Sequence, residues 1–135
     1  MDGYMSPIVK KFLATALIYL VLGLLAQAVS VFDGWLGFNP LAYTAITATQ
    51  QLFLLGWLTQ LGLALVYDRW LSPPPESAMM VFVLFNIGLL LVLLGQPGLA
   101  LLGGTWLGAA AAVGGLLQFI AGLLFVGHVW SALKP

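Results

Sequence analysis

The sequence predicts an all-α membrane protein: one integral membrane domain over residues 1–135, a four-transmembrane-helix bundle or arc with both termini cytoplasmic. Three observations predict it. Of 135 residues, 62% are hydrophobic and only 6% charged, whereas a soluble domain carries about 25% charged residues. Such a chain has too little polar surface to wet a globule of its size. Four apolar segments each approach the ~20 residues that a helix needs to cross the hydrocarbon core. Finally, a four-span topology puts every basic residue on the same side.

The first span covers about 8–31. Lys10-Lys11, a hydrophobic run and then Ala26-Gln27-Ala28 resemble a secretory signal peptide, but the segment is read as a retained first helix. The second span covers about 43–67, after the connector FDGWLGFNP. The polar stretch DRWLSPPPES ends it, because Pro73, Pro74 and Pro75 lack an N–H and clash with the preceding turn. The third and shortest span covers about 78–94, and GQPGLALLGG is read as a loop. The fourth covers about 104–133. No period-two pattern argues for a barrel.

Orientation follows from charge. Lys10, Lys11, Arg69 and Lys134 share a side, and the opposite loops hold no Lys or Arg. Basic residues near span ends stay cytoplasmic, so the expected location is a prokaryotic cytoplasmic membrane, multi-pass, with both termini inside. Four of the five tryptophans lie near span ends, where aromatic rings favour the interface; Trp57 lies at mid-span.

Composition also excludes functions. There is no cysteine, hence no disulfide, thiolate metal site or cysteine nucleophile. The one histidine, His128, rules out a multi-histidine site within one copy. Net charge is zero and the basic residues are scattered, so nucleic acid is not an expected partner. Asp2, Asp33, Asp68 and Glu76 all fall in termini or loops. Pumps and proton-coupled transporters keep ionisable groups at membrane depth, which argues against both. There is no nucleophile–base pair, phosphate loop or metal spacing, so an enzyme is not expected and no metal site is assigned.

Four features remain. In span four, Gly104, Gly108, Ala111, Gly115 and Gly122 fall on one narrow face at ~100° per residue, with Gln118 at its edge. Small residues let helices approach closely in lipid, so this stripe is read as a packing seam, within one copy or between copies. Gln27, Asn86 and Gln118 place amides inside spans one, three and four, where interhelical hydrogen bonding is the simplest use. His128, about one turn from the end of span four, is a tolerated interfacial residue, a haem or metal ligand, or a proton-transfer group. Span two carries the densest polar set, including Thr44, Thr47, Thr49, Gln50, Gln51, Thr59 and Gln60. Thr44, Thr47 and Gln51 share one face.

The stretch LFLLGWLTQLGLALVY, residues 52–67, resembles the second transmembrane helix of haem–copper oxidase subunit I. It is most similar to the nitric-oxide-reductase-like branch and its small four-helix relatives. Gly56-Trp57 and Thr59 match that helix, followed by Tyr67 and the Pro73–Pro75 loop. Asn86-Ile87-Gly88 and Gln118 with Leu124-Phe125-Val126 extend the likeness to most of 10–133. In that family the helix opens with a His-x-His that ligates haem. Counted back from Gly56, those positions are Thr49 and Gln51 here, and neither is a strong iron ligand. The resemblance therefore implies a relative without the family's haem b or copper site. His128 is expected near the opposite membrane face from Thr49 and Gln51.

Subunit I is built from three arcs of four helices, so a lone arc implies three copies around a closed axis. The expectation is a non-catalytic, homotrimeric scaffold or accessory subunit in a respiratory membrane. Its partners would be lipids, other copies of itself and possible respiratory complexes. The alternatives are a haem-binding electron carrier using His128, or a small pore or lipid-binding protein using the Thr/Gln face.

Overall fold

The computed structural model describes residues 5–36 and 47–134, and helix is the only regular structure among them. Helix α1 is Pro7–Leu36. Ser6 precedes it, its Oγ accepting from the Val9 amide at 3.4 Å. Pro7 then occupies the first helical position, where a missing N–H is harmless and φ is already helical. Helix α2 spans Thr47–Arg69, so the expected start of span two at 43 lies outside the described residues. Helix α3 is Ala78–Leu102 and α4 is Thr105–Leu133. All four are long and apolar enough to cross a membrane.

Two boundaries differ from expectation. α1 runs to Leu36 rather than stopping near 31. α3 does not stop at 94; it continues through Pro97 to Leu102, so most of the expected loop is helix. Pro97 removes one helical hydrogen bond, but α3 is held past it by α4. A Cβ on Gly95 would lie 2.6 Å from the Leu107 carbonyl oxygen, so the two backbones touch just before the proline. The turn itself shrinks to Gly103 and Gly104, at φ 69° and 110°. Residues with a Cβ rarely adopt that backbone.

The middle of α2 departs from the α-helix. Leu52–Thr59 is a π-helix, with i→i+5 bonding that is rare and usually a single turn. Thr59 Oγ1 donates to the Leu54 carbonyl, five residues back, at 2.7 Å. Gly56 sits inside the stretch against α1, where a Cβ would be 2.7 Å from Tyr19 Cβ. The wider turn keeps Leu52, Gly56 and Gln60, spaced by four, on the buried side.

The helices pack as two pairs. α3 and α4 form the closer one: a Cβ on Gly88 would lie 2.5 Å from the Gly114 carbonyl oxygen, and the reverse holds at the same distance. α1 packs on α2 through Gly23 against Phe53 and Gly56 against Tyr19. The pairs are joined by a shared core at the end that carries Lys10, Lys11, Arg69 and Lys134. There Val9, Phe12, Leu63, Ala64, Tyr67, Ala78, Val81, Phe85 and Ala121 form one buried cluster. Phe12 stacks on Tyr67 at 5.6 Å between centroids and meets Phe82 edge-on at 5.1 Å. A smaller cluster of Tyr19, Leu52 and Leu89 lies towards the other end. Large apolar residues also cover the outside, among them Leu25, Phe32, Leu94, Phe119, Leu123 and Leu133. A water-soluble monomer does not carry that much contiguous apolar surface.

Candidate functional site

The polar side chains form tiers along the bundle. The lowest is at the basic end. Tyr67 projects from α2 into the aromatic core and is fully buried. Its hydroxyl lies 2.9 Å from His128 Nδ1 on α4. Ser77, the residue before α3, places Oγ 2.7 Å from His128 Nε2. Serine at that position ordinarily caps its own helix, but Ser77 makes no such bond and is turned to the imidazole. One histidine thus ties together α2, the start of α3 and α4. A neutral imidazole donates at one nitrogen and accepts at the other, and each hydroxyl can play either part, so both ring nitrogens are satisfied. Binding iron at His128 would require displacing Tyr67 or Ser77 from a ring nitrogen.

The middle tier joins α2 to α3. Gln60 Nε2 donates to Asn86 Oδ1 at 2.5 Å, and Asn86 Nδ2 faces Gln60 Oε1 at 3.4 Å. The same Asn86 nitrogen donates to the Phe82 carbonyl at 2.8 Å. Gln60 is fully buried. Reciprocal amides suit a place without water, where an unmet polar group costs ~1–3 kcal/mol. Gln118 lies nearby on α4, with Cγ and backbone against Gly88 of α3. Its Nε2 is buried and has no hydrogen-bond partner among the described residues.

The upper tier is on the first turns of α2. Thr49 is buried, whereas Thr47 and Gln51 are half-buried. Gln51 Oε1 is buried with no hydrogen-bond partner among the described residues. Thr44 lies outside them. Gln27, expected to place its amide inside the bundle, is instead exposed on α1. Thr49 and Gln51 stand at the opposite end of α2 from Tyr67, the helix's contact to His128, so the upper and lower tiers are separate sites.

The stripe of α4 is divided between three roles. Gly104 serves the turn at φ 110°. Ala111 and Gln118 pack on α3, beside Gly95 and Gly88. Gly108 touches only Leu99, at 3.6 Å from an added Cβ, and Gly115 and Gly122 have nothing within 4 Å. The seam within the chain instead uses Leu107 and Gly114, both buried, which sequence reasoning did not single out. Their spacing to Ala111 of four and three residues is the signal that was available. Nothing local in the sequence marked Tyr67 and Ser77 as partners of His128, which is 61 and 51 residues away.

Chemically, the tiers hold amides, hydroxyls and one imidazole. No group of three or more His, Asp or Glu is placed to hold a metal among the described residues. Asp68 makes its ion pair with its neighbour Arg69, at 3.7 Å from Nε. The described polar groups thus couple helices together, and at the basic end they set two hydroxyls, Ser77 and Tyr67, on the one imidazole of His128, a hydroxyl–base pairing that no spacing in the sequence marked. No protein-family model matches this chain, and neither does any curated protein or solved structure.

Proposed function

We propose that this chain is a non-catalytic integral membrane subunit that self-associates through the open glycine face of α4. The observation that carries the reading is the state of Gly115. α4 lies mostly outside the core, with 11% of its most apolar window buried. Yet it carries glycines that its own chain leaves bare. Small residues in a membrane helix favour close backbone approach, and within this chain that use is taken by Gly114 instead. A second copy is the partner that completes the stripe, and three copies around a closed axis are the expected assembly. The basic end faces the cytoplasm of a prokaryotic membrane, by the distribution of Lys and Arg.

The likeness of residues 52–67 to haem–copper oxidase subunit I supports a place in that superfamily, as a scaffold or accessory subunit of a respiratory membrane. In that reading α2 is a former cofactor helix, now used for packing through Gln60 and Tyr67.

Two measurements test the proposal. Light scattering on the purified protein in mild detergent should give the mass of three chains, and Gly115→Leu should lower it to one. An unchanged mass in Gly115→Leu overturns self-association through this face. An absorption spectrum, oxidised and dithionite-reduced, should show no Soret band. A Soret band lost in His128→Ala would show a cofactor subunit instead.

A further inference from the structure

α2 and α4 stand apart above the basic end. Between them runs a groove of about 370 Å³, floored by Val81 and Phe85 of α3. Its walls are Gly62 and Val66 on α2 and Gly122 and Phe125 on α4. The two glycines keep it wide, since a Cβ on either would meet nothing within 4 Å. Thr59 also lines it, but its hydroxyl is committed to the Leu54 carbonyl. The groove is therefore apolar along its length.

It does not end there. Gly62 and Val66 also line a second hollow, of about 380 Å³, that reaches Arg69 and Trp70. Those two residues line a third, of about 490 Å³, with Val129, Ala132 and Leu133 of α4. The path leads from an all-carbon depth to a mouth holding a cation and an indole. Lys134, exposed, is the next residue in the chain after Leu133.

We propose that this groove binds one anionic phospholipid, with an acyl chain between α2 and α4 and its phosphate at Arg69 and Lys134. The shape requires an occupant that is slim, apolar over its length and anionic at one end. The Arg69 side chain is 79% exposed, and its contact with Asp68 runs through Nε at 3.7 Å. Guanidinium matches a phosphate through paired N–H donors. Trp70 is 75% exposed beside it, as an indole at a headgroup level would be. Among the described residues this end carries four basic side chains against Asp68 and Glu76, so the headgroup is net anionic rather than zwitterionic. A basic residue at a membrane surface favours anionic lipid by about fivefold.

Native mass spectrometry of the full chain tests this, with equal amounts of dioleoyl-phosphatidylglycerol and dioleoyl-phosphatidylcholine added to the detergent solution. The wild type should retain one phosphatidylglycerol per chain, preferred over phosphatidylcholine by on the order of 25-fold from two basic residues. Arg69→Gln and Lys134→Gln should each reduce that preference about fivefold. Gly62→Leu fills the groove from α2, away from the glycine stripe of α4, and should abolish retention of both lipids while circular dichroism stays unchanged. Equal retention of the two lipids by the wild type overturns the proposal, as does full retention in Gly62→Leu. A Gly62→Leu variant that loses chains per particle and keeps its lipid would show a second copy in the groove, and also overturns it.

Discussion

Gly114 and Gly115 are neighbours of identical chemistry, and the structure assigns them opposite fates. A Cβ on Gly114 would lie 2.5 Å from the Gly88 carbonyl oxygen, 2.9 Å from Leu91 Cβ and 3.0 Å from Val92 Cγ2. All three atoms belong to α3, and the nearest is backbone, which cannot rotate aside. Carbon contacts sit at ~3.5–4.0 Å, so Gly114→Ala must push α3 and α4 apart by about 1 Å. Overpacking of that kind costs ~1–3 kcal/mol. Alanine regains up to ~1 kcal/mol of helix propensity, leaving a net loss of about 0–2 kcal/mol. Gly115→Ala has the same propensity gain and meets nothing within 4 Å. Within a single copy, the state that SDS leaves, its stability should be unchanged or raised by up to ~1 kcal/mol. The difference between the two variants therefore isolates the packing, at about 1–3 kcal/mol. Unfolding each in detergent by SDS titration, followed by circular dichroism, measures it. A difference below about 0.5 kcal/mol, short of the overpacking range, or a Gly115→Ala less stable than Gly114→Ala, refutes the assigned seam.

Two further outcomes follow from the polar tiers. Gln60→Leu strips Asn86 of its partner on α2 and should cost about 1–3 kcal/mol; the double variant with Asn86→Leu should recover part of it, giving a coupling of about 0.6–1.7 kcal/mol. A double-mutant cycle with no coupling would refute the amide pair. Tyr67→Phe keeps the ring contacts with Phe12 and Phe125 but loses the hydroxyl on His128, at a cost of about 1 kcal/mol. Ser77→Ala should cost about as much and leave amide exchange in the first turn of α3 unchanged, because Ser77 does not cap that helix. Faster exchange there would contradict the role given to its hydroxyl.

Much of the architecture was legible in the chain. Four helical spans follow from hydropathy because a segment's length and apolar content are local properties. The Pro73–Pro75 break was legible for the same reason, since the steric conflict lies within the residues themselves. The end of α3 was not. Gly95-Gln96-Pro97-Gly98 has every local mark of a break, and contact with α4 at Gly95 overrode it. The π-helix at Leu52–Thr59 left no signal in composition. Within it stand the Gly56–Tyr19 contact and the Thr59 hydroxyl on the Leu54 carbonyl, and the first exists only once α1 is packed.

Site residues divide along the same line. Gln27, Asn86 and Gln118 were marked as interior amides by their depth alone, which fails for the exposed Gln27, and His128 was marked as the chain's one histidine. Their partners were not marked. Tyr67 and Gln60 reach His128 and Asn86 across elements, and hydropathy cannot say which faces meet. The α4 stripe shows the limit most clearly. Gly114 and Gly115 are interchangeable in composition, and a rotation of ~100° separates contact from open space.

The sequence by itself determined an all-helical chain with four spans' worth of apolar length and four cations gathered at one end. Those properties are sums over residues and need no partner. Only the tertiary structure decided that Ser77 turns from its helix to His128, that Gly114 rather than Gly115 meets α3, and that α2 and α4 leave a groove between them. Each depends on the relative rotation of helices, which is fixed by contacts between residues far apart in the chain.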